Sequence, residues 1–256
     1  MKPVYILLIV LGCMIPQGCA AIRQEPVVPK KSDLRRELSG HLVIGVVVYR
    51  GQEDERDLLP RAIPNLIEYV NTHTQIWARM RKIRLDDPRL SECSVLYISG
   101  QEAKLELTPT EIKHLGDYLR GGGFLFAEDV SATASSRSGA GVRGSPFDQR
   151  MKEILREALG PDAEFFCLPN DHPLYHSFYD FSDGPPLGGI WGGNVDDLEG
   201  IQLQGRLTVV FSDLNISWYW GGQRVQGAER GLQFGVNLLA FAMREAWEAP
   251  RRPIRR

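Results

Sequence analysis

The chain has 256 residues, of which 43% are hydrophobic and 24% are charged, and its formal net charge at pH 7 is −2. This is the composition of an ordinary globular protein that can bury a core, and the length allows a single α/β domain. A charge so close to zero gives no electrostatic reason to expect nucleic acid as a partner.

The first 21 residues, MKPVYILLIVLGCMIPQGCAA, differ in kind from the rest. Their apolar stretch is too short to span a bilayer but suits the core of an export signal. A glycine precedes Cys19, as in bacterial lipoprotein processing sites, where the cysteine is lipidated and becomes the mature N-terminus. Pro16 departs from that pattern, and Cys13 is a competing match. We expect an exported protein held at the periplasmic side of the cell envelope by a lipid on Cys19; the alternative is a soluble periplasmic protein cleaved near Ala20.

Residues 22–38 are polar and dotted with prolines, as in a tether, residues 39–248 form one domain, and residues 249–256 are a basic tail. Two cysteines lie in the domain. Cys167 falls within the apolar run FFCLP and is expected to be a small buried hydrophobe, whereas Cys93 precedes a strand at its opposite end. An oxidising compartment would permit a disulfide, but sequence cannot give the distance between them.

Strands and amphipathic helices alternate along the domain. Residues 41–49, HLVIGVVVY, predict a strand covered on both faces. A helix follows, and Pro60 and Pro64 confine its regular part to what comes after them. Residues 75–85, QIWARMRKIRL, predict a partly exposed strand, and residues 94–99, SVLYIS, a buried one.

The clearest helix begins with Thr108 as its N-cap, Glu111 completes a capping box, and Gly121 ends it. The strand FLFAED (124–129) follows, and a second helix runs from Ser145 as N-cap to Gly160. AEFFCLP (163–169) and RLTVVFSD (206–213) are strand-like, and a long helix closes the domain. This alternation predicts an α/β fold with a mainly parallel sheet and helices on both faces.

Four stretches resemble the bacterial family catalogued as domain of unknown function 4159. They are VLYISGQEAKLELTPTEIKHLGDYLRGGGFLFAED, PFDQRMKEIL, LPNDHPLYHSFYDF and GRLTVVFSDLNISWYW, and the resemblance runs from about His41 to Arg244. It implies a flavodoxin-like or Rossmann-like three-layer sandwich of the class I glutamine-amidotransferase-like fold group, and no established activity. Enzymes of that group use a cysteine in a glycine-flanked strand-to-helix turn. Neither Cys93 nor Cys167 stands in such a turn, so amidotransferase chemistry is not expected.

The carboxyl ends of the strands are the first place to look for a site, because open parallel sheets bind ligands there. The residues that follow the predicted strands are Ser99, Gly100, Gln101, Glu128, Asp129, Ser212 and Asp213. The long segment from 130 to 144 after the paired acids is typical of a lid or binding loop. Alternatively, the acids simply meet solvent where the strand ends.

Other motifs are weaker. His172 and His176 are four residues apart, but no H-E-x-x-H surrounds them and a proline follows His172, so we expect hydrogen-bonded histidines and no metal. The glycines of GAGVRG (139–144) lie too far from their strand for a dinucleotide loop, although Arg143 and a helix N-terminus at Ser145 could hold an anion.

The pair of tryptophans in WYWGG, together with Trp191, lies among glycines. Trp218 is therefore a candidate for a sugar or partner surface, with core packing as the alternative. No G-x-S-x-G or P-loop is present in the sequence, and no cofactor is expected.

The sequence therefore favours a non-catalytic exported lipoprotein that binds an envelope protein or a small ligand at the carboxyl edge of its sheet. One alternative is a hydrolase or lyase that uses Glu128 and Asp129 as acid and base, with His172. The other is an anion or nucleotide sensor built on residues 139–145.

Overall fold

In a computed structural model, the described residues are 39–50, 60–100, 104–130, 143–186, 196–221 and 227–248. The predicted targeting segment with Cys13 and Cys19, the tether and the basic tail lie outside them, as do Gln101, residues 139–142 and Trp191. The strands are β1 (Ser39–Val47), β2 (Gln75–Ile83), β3 (Val95–Gly100), β4 (Leu125–Asp129), β5 (Phe165–Cys167), β6 (Glu199–Leu203) and β7 (Arg206–Ser212). The helices are α1 (Ala62–His73), α2 (Pro109–Arg120), α3 (Pro146–Leu159), α4 (Ser217–Gly221) and α5 (Ala228–Glu248).

The seven strands form one sheet in the order β2-β1-β3-β4-β7-β6-β5. The first five of these are parallel to one another, and β6 pairs antiparallel with both β7 and β5. The mainly parallel α/β architecture predicted from the alternation of elements is thus confirmed. β6 was not predicted; it reaches β7 through a tight turn in which Gln204 and Gly205 have φ of 55° and 77°, the backbone that a two-residue hairpin requires.

Helices cover both faces of the sheet and create two separate cores. One core lies between the sheet and helices α1, α4 and α5, and it includes Phe126 of β4 and Phe124 just before that strand. The other lies under α2 and α3 and includes Leu125 and Ala127 of the same strand. Since successive side chains of a strand point to opposite faces, β4 contributes alternately to the two cores.

Local signals in the sequence account for the helix ends. The capping box of α2 is formed, with Thr108 Oγ1 accepting from Glu111 N and Glu111 Oε2 accepting from Thr108 N at 2.9 Å. Ser145 caps α3 as predicted. Helix α1 begins at Ala62, before Pro64 rather than after it, because a proline in the first helical turn displaces no intrahelical hydrogen bond.

The two cysteines of the domain differ from expectation in one respect. Both are free, and Cys93 is buried, but Cys167 is exposed at the end of β5. The prediction that Cys167 is a buried hydrophobe is therefore wrong. The run FFCLP belongs to an edge strand only three residues long, and an edge strand has one side open to solvent.

Candidate functional site

The paired acids at the end of β4 lie on opposite faces of the sheet. Glu128 faces the α4 and α5 side, where its carboxylate accepts hydrogen bonds from Ser217 N and Ser212 Oγ, both at 3.0 Å, and from Ile216 N. Asp129 faces α3 and accepts from Ser145 Oγ. The acid–base pair suggested by the sequence is therefore not formed, because strand alternation sends the two carboxylates apart.

Glu128 is a structural group. It is fully buried, and its hydrogen bonds fasten the turn that leads from β7 into α4. Burial raises the pKa of Glu128 to about 7, against the hydrogen bonds from Ser217, Ile216 and Ser212, which act to lower it. The carboxylate oxygens of Glu128 accept hydrogen bonds from the protein's own groups and are not directed at a ligand.

The N-terminus of α3 connects Asp129 to a second buried acid, Asp148. Ser145 Oγ donates to Asp129 and accepts from Asp148 N at 3.0 Å. Gly144 N in turn donates to Asp148 Oδ2 at 2.7 Å. The chain's own acids thus occupy this helix N-terminus, the position suggested for an anion.

Four carboxylates meet next to this helix, beyond the carboxyl ends of β4 and β7. We call them the acid cluster: Asp148, Asp197, Glu199 and Asp213. Asp148 and Asp213 are 3% and 1% exposed, and Glu199 is partly buried. One carboxylate oxygen from each of Asp148, Glu199 and Asp213 lies within 4.8 Å of the others.

Two cations of the chain lie against the acid cluster. Lys152 Nζ lies 2.6 Å from Asp148 Oδ1 and also pairs with Glu199. Arg143 pairs with Asp197 at 2.6 Å and with Glu199 at 3.3 Å. Burial acts to lower the pKa of Lys152, but its pairs with Asp148 and Glu199 outweigh this and raise it, so the ammonium stays charged. Two positive groups face four acidic ones.

Asp213 is the acid of the cluster with the weakest pairing to these two cations. Among the described residues, neither of its carboxylate oxygens has a hydrogen-bond partner, and Arg143 Nε lies 3.8 Å away. Burial, together with the charges of Asp148 and Asp129, raises the pKa of Asp213 to about 8. Burying a carboxylate without hydrogen-bond donors costs free energy. A carboxyl group whose pKa is strongly raised by burial and neighbouring charges is typical of functional sites.

The other predicted site residues are not brought to the cluster. Tyr49 Oη donates to the carbonyl of Ser99 at 2.9 Å, and the space that a side chain at Gly100 would need is filled by the ring of Phe147. Gly100 thus admits a core residue rather than a ligand. Trp218 is 43% exposed on α4, and Trp220 is buried in the core.

His172 is the N-cap of a short 3-10 helix, Pro173–His176, and His176 is its last residue, so the two histidines do not lie on one face of an α-helix. His172 Nδ1 accepts from Leu174 N, and its ring packs on Phe241, which contacts Phe124 at the amino end of β4. Nδ1 of His176 lies 2.8 Å from Asp180 Oδ1, and Nε2 lies 3.0 Å from a backbone carbonyl oxygen. His172 therefore lies near the amino end of β4, whereas Glu128 lies near its carboxyl end, so the structure does not bring these two residues together.

Sequence reasoning missed Asp148, Lys152, Asp197 and Glu199. Asp148 and Lys152 are one turn apart on α3, where an acid near the N-terminus and a lysine facing inward resemble ordinary helix chemistry. Asp197 and Glu199 belong to the unpredicted region around β6. The one signal that could have pointed to the cluster is Lys152, a lysine at a position of α3 that the apolar pattern predicts to be buried.

The model of the family described as Domain of unknown function (DUF4159) matches residues 43–243. The chain belongs to this family. The DUF4159 match includes every residue of the acid cluster as well as Glu128 and Asp129, and it confirms the resemblance inferred from the sequence. No curated protein matches the chain. Within the described part of this DUF4159 chain, no helix combines the length and the apolar character needed to cross a bilayer.

Proposed function

We propose that this DUF4159 protein is a binding domain held at the cell envelope, and that its site is the acid cluster at the carboxyl edge of the sheet, where it binds a divalent cation. The observation that carries the proposal is Asp213, a carboxylate 1% exposed and without a hydrogen-bond donor among the described residues, beside two further carboxylates. Buried acids without donors are stabilised by a cation, as acidic ligand sets are in metal sites.

The spacing of the three oxygens fits a hard cation. Ca²⁺ and Mg²⁺ take oxygen ligands, at roughly 2.4 Å and roughly 2.1 Å respectively. Two oxygens on opposite sides of Ca²⁺ are then about 4.8 Å apart. The oxygens of Asp148, Glu199 and Asp213 lie within 4.8 Å of one another, so they suit an ion bound between them without a rearrangement of the strands.

Lys152 acts as the internal competitor in this proposal. Its ammonium pairs with Asp148 and Glu199, which are two of the three proposed ligands. A divalent ion carries twice its charge and can also use Asp213, which Lys152 does not pair with. Binding would therefore release Lys152 from the two carboxylates, and the side chain is long enough to swing away while its stem stays packed.

Two other functions receive less support. Acid–base catalysis by Glu128 and Asp129 would need both groups on one face of the sheet, and His172 lies towards the other edge. Anion or nucleotide sensing would need free donors at the start of α3, but Ser145 is bonded to Asp129, and Arg143 is paired with Asp197 and Glu199.

The envelope location is part of the proposal and rests on the N-terminal segment with Cys19. A lipid on Cys19 would hold the domain through residues 20–38. We expect labelled palmitate to be incorporated into the wild-type chain and not into a Cys19→Ser variant; incorporation that survives Cys19→Ser but not Cys13→Ser would move the anchor to the competing site.

The cation site is tested by thermal unfolding of residues 20–256, the chain without its targeting segment and Cys19, with Mg²⁺, Ca²⁺ or Mn²⁺. An ion that binds only the folded protein, at a hundred times its dissociation constant, adds about 2.7 kcal/mol. For a chain of this size, that corresponds to a rise in Tm of roughly 5–10 °C. We expect such a rise with at least one of the three ions.

Three variants locate the effect. Asp213→Asn keeps the shape but removes the carboxyl that must lose its proton to bind the ion, so it should abolish the response to the ion. Because the pKa of about 8 leaves Asp213 largely protonated near pH 7, the variant should change Tm without the ion only a little. Lys152→Met removes the competitor and should lower the concentration of ion needed. Asp162→Asn, at an exposed acid just beyond α3, is the matched control. A flat response to all three ions, or an unchanged response in Asp213→Asn, would refute the proposed site.

A further inference from the structure

Both ends of the domain emerge at the same edge of the sheet. We call this the amino edge, since the parallel strands begin there; β1 starts at Ser39, directly after the tether. Helix α5 runs back to it: Phe241 packs on Phe124, and Met243 Cε comes within 3.2 Å of the position that a Cβ at Gly40 would have. The last helix of the domain therefore ends at the edge of the sheet where its first strand begins.

The charges of the chain are divided between these flanks and the domain. Residues 22–38 and 249–256 together contain nine Lys and Arg against three Asp and Glu, whereas residues 39–248 contain 20 Lys and Arg against 29 Asp and Glu. The near-zero net charge thus hides a domain with a formal charge of −9 between flanks with +6. Basic segments beside an anchor are attracted to anionic lipid headgroups, by a few-fold in affinity for each charge.

An exposed tryptophan lies at the same edge. Trp77 is the third residue of β2, opposite His41 of β1, and it is 60% exposed. Arg79, on the same face of the strand, is also exposed. A cleft of about 300 Å³ adjoins Trp77 and is lined also by His41, Asn71 and Thr74. Tryptophan favours the membrane–water interface because its ring is apolar and its N–H needs a polar partner.

We propose that the amino edge is the membrane-facing surface of the domain, and that Trp77 and the basic tail contact the anionic headgroups of a bilayer. A domain with a net negative charge is repelled by such a surface, and its basic flanks favour the orientation that places them against it. The acid cluster, at the other ends of the strands, then faces away from the membrane. This inference does not depend on the cation site.

The test uses residues 20–256, which lack the apolar targeting segment and Cys19, so that no attached lipid contributes to binding. Binding is measured by co-sedimentation with vesicles of phosphatidylglycerol and phosphatidylethanolamine, and with phosphatidylcholine vesicles as the neutral reference. We expect binding to the anionic vesicles only, weakening as NaCl is raised from 50 to 500 mM. We also expect quenching of Trp77 by brominated lipid.

Matched variants separate the amino edge from general charge. Replacing Arg251, Arg252, Arg255 and Arg256 by Gln should weaken binding about tenfold or more. The control replaces Arg50, Lys82, Lys104 and Lys113, which lie towards the carboxyl edge and change the net charge equally. Trp77→Ala should weaken binding and reduce the quenching, whereas Trp218→Ala, at the other tryptophan exposed among the described residues, should do neither. The proposal would be overturned if the wild type did not bind anionic vesicles. It would also be overturned if the two four-residue variants lost the same amount of vesicle affinity, or if the two tryptophan variants did.

Discussion

At the scale of single residues, Glu128 shows how a buried carboxyl is held between two opposing effects. Removal from water raises its pKa, and three donors act to lower it, with the balance at about 7. Because this lies above the ordinary value of 4.5, the folded protein binds more protons at Glu128 than the unfolded chain does. The contribution of this group to stability is therefore fully present below about pH 4.5 and is lost as the pH rises through 7.

Glu128→Gln tests this sign, since the amide cannot titrate. We expect the free energy of unfolding of the wild type, relative to the variant, to fall by on the order of 3 kcal/mol between pH 4.5 and 7.5. Urea unfolding at several pH values within this range measures the difference, in which groups common to both proteins cancel.

Glu157→Gln, at an exposed glutamate on α3, is the control for Glu128→Gln and should show no such trend. If the free energy of unfolding of the wild type, relative to Glu128→Gln, rose with pH instead, the hydrogen bonds from Ser212, Ile216 and Ser217 would outweigh the effect of burial on the pKa of Glu128. Glu128 would then be ionised in the fold even in mild acid.

At the scale of elements, the N-terminus of α3 joins the fold to the site. Ser145 connects Asp129 to the first turn of the helix, and the helix carries Asp148 and Lys152 into the acid cluster. Helix α2 has a more complete cap, the capping box of Thr108 and Glu111, but contributes no residue to the cluster. The two caps can therefore be compared as hydroxyl caps of similar local effect with different functional consequences.

Ser145→Ala and Thr108→Ala should each lower stability by at least about 1 kcal/mol, because each leaves a backbone N–H of the first helical turn without its acceptor. Ser145→Ala should cost more, because it also removes the donor to the buried Asp129. Only Ser145→Ala should also weaken divalent-cation binding, measured by calorimetric titration, because it frees the turn that orients Asp148. Equal cation affinity in the two variants would show that this cap does not position the site.

The elements that sequence predicted well are those whose signals are local. Periodicity and caps act within a few residues of the chain. They were therefore enough to predict the ends of α2 and α3 and the apolar strands β1, β3 and β4. β6 carries a weak pattern and is stabilised by pairing with β5 and β7, which sequence does not display. The acid cluster was missed for the same reason, because it joins α3, β6 and the end of β7. Only Asp213, at a predicted strand end, could be named in advance.

At the scale of the whole molecule, the order of the strands determines whether the two cysteines of the domain can form a disulfide. Cys93 lies just before β3, and Cys167 ends β5, which is four strands further along the sheet. Strands are about 4.8 Å apart, so the two residues are separated by roughly 19 Å across the sheet alone. A disulfide needs Cα atoms within about 7 Å. The pair that an oxidising compartment would permit is excluded by this topology.

Two thiols with different reactivity should therefore be found in residues 20–256, a fragment that lacks Cys13 and Cys19. Cys167 is exposed and should react with a thiol reagent in the native state, although more slowly than a free cysteine. Its bond to Asp197 and partial burial raise its pKa and lower the thiolate fraction. Cys93 is buried, and it should react only when urea unfolds the domain. Absorbance titration should thus count one thiol before unfolding and two after, and none before in Cys167→Ser. Fewer than two in urea without a reductant would mean that the cysteines are oxidised or paired between molecules, and the unfolding temperature would then change on reduction.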